Sequence, residues 1–477
     1  MPGGARAGVR GRERERDHRE AGRRGAEADT EAEAGAGAEA EAAAEAEAEA
    51  GAGAGAEAGA GAPLPGGVTR SALRGIHGPV LRRIHVENFR SLAALTVDLG
   101  PLAVLFGPNG AGKSCLLDTL WFFRDCAVRG VEVASSERSH GIGLRWDGAE
   151  EGAPIAVAIE TDQAVYEIRV SLASGRIDPF PGERLRSRPR DAELIRRPMG
   201  SDRASFFDPE RGVTTQVTLR EPDRLSLSRF LDIGTGSAEA AEVDLLLRSI
   251  RMHRCRLFNF HSIKNLGSQS APELRLKGRA ENLWSVLRNL HDRRGADERY
   301  DTIVAFMREA FPSFDGLQFE QTGLTSVTGR FLEKGRRDPI WASGISDGHL
   351  HLLILLTAAF AEGRAPALLL LDEPDISLHP RALSVLGRAL KEAASAWGRQ
   401  ILLATHSPVL LSQFEAEQAL AVEPSAGATR LTRLSEVPGV QDLLEQYAAG
   451  SLYMANVIAP QGEPGPLEAE PGAAGEG

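Results

Sequence analysis

Apolar residues follow three kinds of pattern along the chain. Leu81 to Phe89 and the alternating Leu95-Thr-Val97-Asp-Leu99 predict half-buried strands. Continuous apolar runs at Leu102–Phe106, Ala367–Leu371 and Ile401–Ala404 predict central strands covered on both faces. An amphipathic helix is predicted from Lys113 to about Phe123, and helical spacing returns at 237–250, 281–290 and 300–311. Alternation at Ile155–Ile159 and Val165–Leu172, separated by Thr161-Asp162-Gln163, predicts a hairpin. Residues 174–224 are rich in Arg, Pro, Asp and Gly with little periodicity, which predicts a long surface loop or an irregular insertion. Strands alternating with helices make a layered α/β domain the expected class.

Charge changes where that domain begins and ends. Of 477 residues with a net charge of −11, residues 1–25 hold eight Arg against four acids, residues 26–62 hold ten acids and no base, and residues 462–477 hold four acids. The intervening body is therefore near −1, and whole-chain acidity says nothing about whether that body meets an anionic partner. Apart from Asp29 and Thr30, residues 26–62 are only Ala, Gly and Glu, a composition that cannot offset the entropy of ordering. Residues 1–75 and 462–477 are expected to be disordered tails around a folded body at 80–460. No apolar run is long enough for a membrane span, and the Arg-rich N-terminus lacks an apolar export core, so a cytoplasmic protein is expected. Cys115, Cys126 and Cys255 are odd in number and lack CxxC spacing, which speaks against a disulfide framework or thiolate metal site.

The chemistry concentrates at the ends of the buried runs. Gly107-Pro108-Asn109-Gly110-Ala111-Gly112-Lys113-Ser114 matches the GxxxxGK[ST] phosphate loop, placed after a buried strand and before a helix. Its glycines let backbone N–H groups converge on phosphates, Lys113 neutralises the anion and Ser114 ligates Mg²⁺, so ATP and Mg²⁺ are the expected ligands. Leu368 to Leu371 runs into Asp372 and Glu373. Asp372 suits the outer-sphere Mg²⁺ partner, and Glu373 suits the general base that polarises the attacking water.

From these residues the chain resembles the ATP-binding cassette ATPases, specifically the RecF/SMC-like branch and its stand-alone AAA-21-type relatives. Ile84-His-Val-Glu-Asn-Phe89-Arg90-Ser91 looks like that branch's opening strand, Ser346-Asp347-Gly348 its signature motif, Asp375 to Pro380 its D-loop, and Thr405-His406-Ser407 its switch-histidine loop. The resemblance implies an ABC-type P-loop NTPase head with a mixed central sheet and an inserted α+β lobe. The nucleotide-binding halves would be about 80–175 and 335–460, with the lobe at about 176–334. It also implies that His406 contacts the γ-phosphate and that two heads sandwich ATP as a homodimer, Ser346 and Gly348 acting in trans. Ser346 and Asp347 also suit a helix cap, and His406 also suits a core histidine. Arg90 suits either the nucleotide or the surface, His379 is open in the same way, and His349 and His351 lack a metal-ligand pattern. Gln163, Gln216 and Gln269 are the candidates for the Q-loop, none of them decisive.

The insert between Ser114 and Ser346 lacks sustained heptads, which excludes an SMC-type coiled coil. About 55 residues between His406 and the acidic tail are too few and too poor in clustered acids for a fused TOPRIM-type nuclease of the overcoming-lysogenization-defect kind, so any nuclease activity involved is expected to come from another chain. By family analogy the leading expectation is an ATPase acting on DNA in repair, recombination or defence. Arg184, Arg186, Arg188, Arg190, Arg196, Arg197 and the stretch Arg251 to Arg256 are candidates to track phosphates, or simply a solvated basic loop. The alternative is a regulatory switch that gates a toxin or nuclease without binding DNA. A transporter subunit fits least, because the signature departs from LSGGQ.

Overall fold

A computed structural model describes residues 79–459 except 174–175, 234–236 and 364–366. The expected disordered tails lie outside the described residues. The organising element is a six-stranded sheet in the order β12-β17-β18-β3-β19-β20. Its strands are β3 (Leu102–Phe106), β12 (Ile250–Arg254), β17 (Leu368–Asp372), β18 (Gln400–Thr405), β19 (Ala419–Ser425) and β20 (Ala428–Arg433). All neighbours are parallel except the edge pair β19–β20. Alternate residues serve opposite cores: Leu102, Val104, Phe106, Leu369, Leu371 and Leu403 face one, whereas Ala103, Leu105, Leu368, Leu370 and Leu402 face the other. Burial on both faces is why these segments read as unbroken apolar runs.

A second sheet of eight antiparallel strands runs β11-β10-β9-β8-β5-β4-β1-β2. It comprises β1 (Arg83–Phe89), β2 (Leu92–Asp98), β4 (Ile155–Glu160), β5 (Ala164–Val170), β8 (Gly182–Ser187), β9 (Ala192–Arg197), β10 (Arg203–Asp208) and β11 (Val213–Thr218); the pair β6 (Leu172–Ala173) and β7 (Arg176–Ile177) stands apart. Helix α1 (Lys113–Arg129) packs with residues of both sheets in one core, so Leu116, Leu117, Leu120, Phe122 and Phe123 are buried over most of its circumference, leaving a stripe at Ser114 and Trp121 less covered. The opposite core holds α3 (Leu283–Asp292), α4 (Arg299–Ala310), α5 (Asp347–Phe360) and α6 (Pro380–Ala396), while α2 (Ala238–Ser249) packs on α1. A small sheet of β13 (Ser268–Gln269), β14 (Phe314–Gln321), β15 (Ser326–Glu333) and β16 (Ile340–Trp341) accompanies α3. Among the described residues no helix is long and apolar enough to cross a membrane.

The loop expected over 174–224 is instead strands β8 to β11. Their inward positions are partly polar, which hides the alternation: Glu183 and Ser187 are buried beside Leu185. Glu183 takes an ion pair from Arg197 at 3.2 Å, with both side chains fully buried, and a 2.8 Å hydrogen bond from the Tyr166 hydroxyl. Ser187 donates to Glu239 at 2.7 Å. The expected lobe at 176–334 is thus shared out: β8–β11 extend the large antiparallel sheet, and β12 joins the six-stranded one.

Two buried histidines link this packing to pH. His253 on β12 is 2% exposed with Nδ1 3.3 Å from the Gly278 carbonyl, and His351 on α5 is fully buried against the rings of Phe258 and Phe260. Burial pushes both imidazoles down to about 4, so both are neutral in the folded protein at pH 7. Unfolding releases them to ordinary values, so the unfolded chain binds more protons and stability is lost as pH falls from about 6.5 toward 4. Each contributes up to about 3 kcal/mol of that loss. Urea unfolding of His351→Phe should show a visibly flatter acid limb than wild type; an unchanged slope between pH 7 and 4.5 would contradict the assignment.

Candidate functional site

Parallel strands bring their loops to one edge, and register decides which residues meet. Phe106 pairs with Thr405 and Ala404 with Asp372, so Gly107, His406 and Glu373 follow adjacent strand ends. Gly107 leads into the phosphate loop, and α1 begins after Gly112, whose left-handed φ of 103° forms an N-cap without a side-chain acceptor. The first N–H groups of a 17-residue helix therefore remain for an anion. The loop fits tightly: a Cβ on Gly107 would lie 2.0 Å from the Val422 carbonyl oxygen, and one on Gly112 would lie 2.1 Å from Thr429 Oγ1. Thr429 also reaches Ala111 O at 2.9 Å and Ser91 Oγ at 2.8 Å, pinning the loop to β20 and to the turn after β1. Pro108 is half-buried, Ala111 is buried, and Asn109, Gly110 and Ser114 are exposed.

Lys113 is 5% exposed, and its Nζ donates to Gly107 O at 2.9 Å and to Pro108 O at 2.8 Å. Burial pushes its ammonium down to about 8, against the opposing charges of Glu373, Asp372 and Asp375. Its Nζ is also 3.4 Å from His406 Nδ1. Donation to Nδ1 leaves the ring proton on Nε2, which faces Glu373 Oε1 at 3.8 Å. Burial and the Lys113 charge lower His406, favouring the neutral ring.

Ser114 Oγ donates to Asp372 Oδ1 at 2.8 Å. Burial, helped by the neighbouring Glu373, raises the Asp372 carboxyl, and the Ser114 bond opposes that rise. A hydroxyl and a destabilised carboxylate side by side are hard oxygen donors of the kind Mg²⁺ prefers, so the residues fit that ion. Glu373 adopts φ 53°, a left-handed backbone uncommon outside glycine, held by its N–H donating to Ala404 O at 2.9 Å. Asp375, raised by burial, accepts from Thr405 Oγ1 at 2.6 Å and so ties the turn after β17 to the end of β18. Behind the loop after β18, Gly450 lies so close that a Cβ would be 2.0 Å from Pro408 O.

Other sequence candidates sit elsewhere. Ser346 caps α5, its Oγ accepting from His349 N at 3.5 Å, and Gly348 abuts the Ser377 carbonyl, where a Cβ would come within 2.7 Å. The described contacts of both are with these neighbours rather than with the phosphate loop of the same chain. His349 stacks on Phe311 at 3.6 Å, and His379 caps α6 through its ring nitrogen. Arg90 pairs with the buried Asp118 of α1 at 2.8 Å. Gln163 lies in the β4–β5 turn, Gln216 bonds Ser205 on the outer strands, and Gln269 is in β13. The strand beside β17 is β12, whose Arg254 stands opposite Asp372 and leads to Arg256, which pairs with Glu373. Sequence reasoning grouped Arg256 with a basic run and missed its place in the site, as it missed Thr429. The only signal for Arg256 is that Ile250–Arg254 joins the central sheet, which the run's polarity conceals.

Both basic runs are ion-paired within the chain. Arg184 and Arg196 face Glu193, Arg186 faces Asp191, Arg188 faces Glu160 and Arg190 faces Glu239. Arg251 pairs with Glu362 and Arg254 with Asp118.

Residues 102–412 match the AAA_21 family, described as AAA domain, putative AbiEii toxin, Type IV TA system. The OLD nuclease of Thermus scotoductus is 24% identical over 342 residues, 71% of this chain and 61% of that protein. The DNA replication and repair protein RecF of Chloroflexus aggregans is 26% identical over 163 residues, 32% of this chain and 39% of that protein. This chain thus spans less than two thirds of either relative. Among solved structures, an Smc head bound to the C-terminal winged-helix domain of ScpA is similar with a TM-score of 0.43 at 15% identity, covering 74% of this chain and 97% of that one. With the family match spanning most of the body, the chain belongs to the AAA_21 family.

Proposed function

We propose that the protein binds and hydrolyses ATP, dimerises around it, and acts on DNA in repair, recombination or defence against foreign DNA. The observation that carries the ATPase reading is the convergence of Lys113, Ser114, Asp372, Glu373 and His406 at neighbouring strand ends of one sheet. In this reading the loop N–H groups and Lys113 hold the phosphates, Glu373 accepts a proton from the attacking water, and His406 donates Nε2–H toward the γ-phosphate. Ser114 and Asp372 would hold Mg²⁺, which supplies charge neutralisation on the β- and γ-phosphates. Ser346 and Gly348 open a 14-residue helix whose positive end would meet the nucleotide of a second copy.

The DNA half of the proposal is supported by the relatives named OLD nuclease and RecF. One observation favours the second reading, an ATP switch that gates a partner such as a toxin or nuclease without touching DNA. The arginines expected to track phosphates are already matched by carboxylates of the same chain, which reduces the counterion release that drives nucleic-acid binding.

Three outcomes are expected. Lys113→Ala should weaken ATP binding by at least about 100-fold by calorimetry, since two or more charge-assisted bonds are lost; wild-type affinity would remove the loop from the mechanism. Glu373→Gln should retain ATP and accumulate a dimer by light scattering, whereas a monomer that still turns over ATP would contradict the base assignment. ATP-dependent binding of duplex DNA that weakens between about 50 and 200 mM salt is expected for the DNA reading. ATPase and dimerisation indifferent to DNA at both salts would select the partner-gating reading.

A further inference from the structure

The general base of the site is held by a residue that no sequence motif marks. β12 ends at Arg254, opposite Asp372, and the chain turns at once through a 3₁₀ turn at Cys255–Leu257. The turn is anchored on both sides, since Cys255 is 2% and Phe258 6% exposed. Between these anchors Arg256 projects outward, with 67% of its side chain exposed, and its Nε donates to Glu373 Oε2. The other Glu373 oxygen faces His406 Nε2 at 3.8 Å. A carboxylate with a guanidinium on one oxygen is stabilised in its charged form and is a weaker proton acceptor toward water. A guanidinium on a fixed turn and a free stem, by contrast, exchanges one oxyanion for another with little backbone change.

We infer that Arg256 is a γ-phosphate-reading switch: it holds Glu373 when no γ-phosphate is present and transfers to the γ-phosphate when ATP binds, releasing Glu373 to orient water. The inference rests on the reading of Glu373 and His406 as the hydrolytic pair. Acceptor chemistry gives the direction of transfer: the Glu373 carboxylate offers two oxygens, one of which already faces His406 Nε2, and the carboxylates of this edge share Lys113, Arg254 and Arg256 among them. A γ-phosphate brings about two further negative charges and three acceptor oxygens beside Lys113 and His406, and Arg pairs with phosphate bidentately. ADP lacks that group and leaves Arg256 on Glu373. The residue thereby discriminates ATP from ADP and ties the availability of the base to the presence of the bond to be cleaved.

The test uses the full chain with Mg²⁺ and compares affinities for ADP and for the non-hydrolysable AMPPNP, alongside ATP turnover, in wild type, Arg256→Ala, Arg256→Gln and Arg256→Lys. Loss of one charge-assisted contact should lower AMPPNP affinity on the order of 10- to 100-fold in the alanine and glutamine variants, with ADP affinity kept within about 2-fold. Turnover should fall with it, and lysine should restore part of both. Retained ADP binding shows that a variant is folded, and the glutamine variant, similar in length, carries the test should alanine fail to fold. An unchanged AMPPNP-to-ADP ratio would overturn the inference. So would equal loss of both nucleotides, which marks a merely structural role, or turnover above wild type, which marks a restraint on Glu373 and nothing more. If Glu373→Gln hydrolyses ATP like wild type, the hydrolytic reading fails, while the AMPPNP-to-ADP ratio still judges Arg256 on its own.

Discussion

Burial of α1 between two sheets is the constraint from which the site follows. A helix packed on one side can slide or tilt; this one shares an apolar core with the eight-stranded sheet and one face of the six-stranded sheet. Its N-terminus is therefore fixed relative to the ends of β3, β17 and β18, where the loop 107–114, the carboxylates Asp372 and Glu373, and His406 arise. The arrangement also buries charge. Asp118 and Asp125 lie within α1, and Arg138 reaches both, Asp118 at 3.3 Å and Asp125 at 3.2 Å. Arg90 from the β1–β2 turn and Arg254 from the end of β12 complete the set on Asp118. Buried pairs of this kind add little net stability, and losing one partner is costly because the other is left desolvated. Their effect is to specify which three elements meet at the phosphate-loop helix.

Much of this was legible in the sequence where a single physical rule decides the pattern. Strands covered on both faces leave unbroken apolar runs, and Leu102–Phe106, Leu368–Leu371 and Ile401–Ala404 are central strands as expected. The β4–β5 hairpin and the helices at 238–249, 283–292 and 299–310 also stand where periodicity puts them. The phosphate loop and the Asp372-Glu373 pair are visible because their chemistry needs fixed residue types at fixed spacing, and the structure brings Lys113, Ser114, Asp372, Glu373 and His406 together.

What stayed hidden was wherever polar residues face inward or distant segments supply a contact. Glu183 and Ser187 break the apolar alternation of β8 because each has a buried partner, Arg197 and Glu239. The role of Arg256 depends on β12 joining β17 across more than a hundred residues of chain, and Thr429 reaches the phosphate loop from the far edge hairpin. Local composition cannot report either. The same limit explains the basic runs, whose carboxylate partners come from neighbouring strands and from α2 rather than from adjacent sequence alone.

The clamp on the phosphate loop has a consequence for the economy of ligand capture. With Gly107 against the Val422 carbonyl, Gly112 against Thr429, and Thr429 bonded to the Ala111 carbonyl, the loop is tied to the hairpin β19–β20. A flexible phosphate cradle spends part of its contact energy on ordering itself at each encounter. In the proposed phosphate-binding role that ordering would belong to folding, once, so contact with an arriving phosphate would go into affinity rather than into arranging the loop.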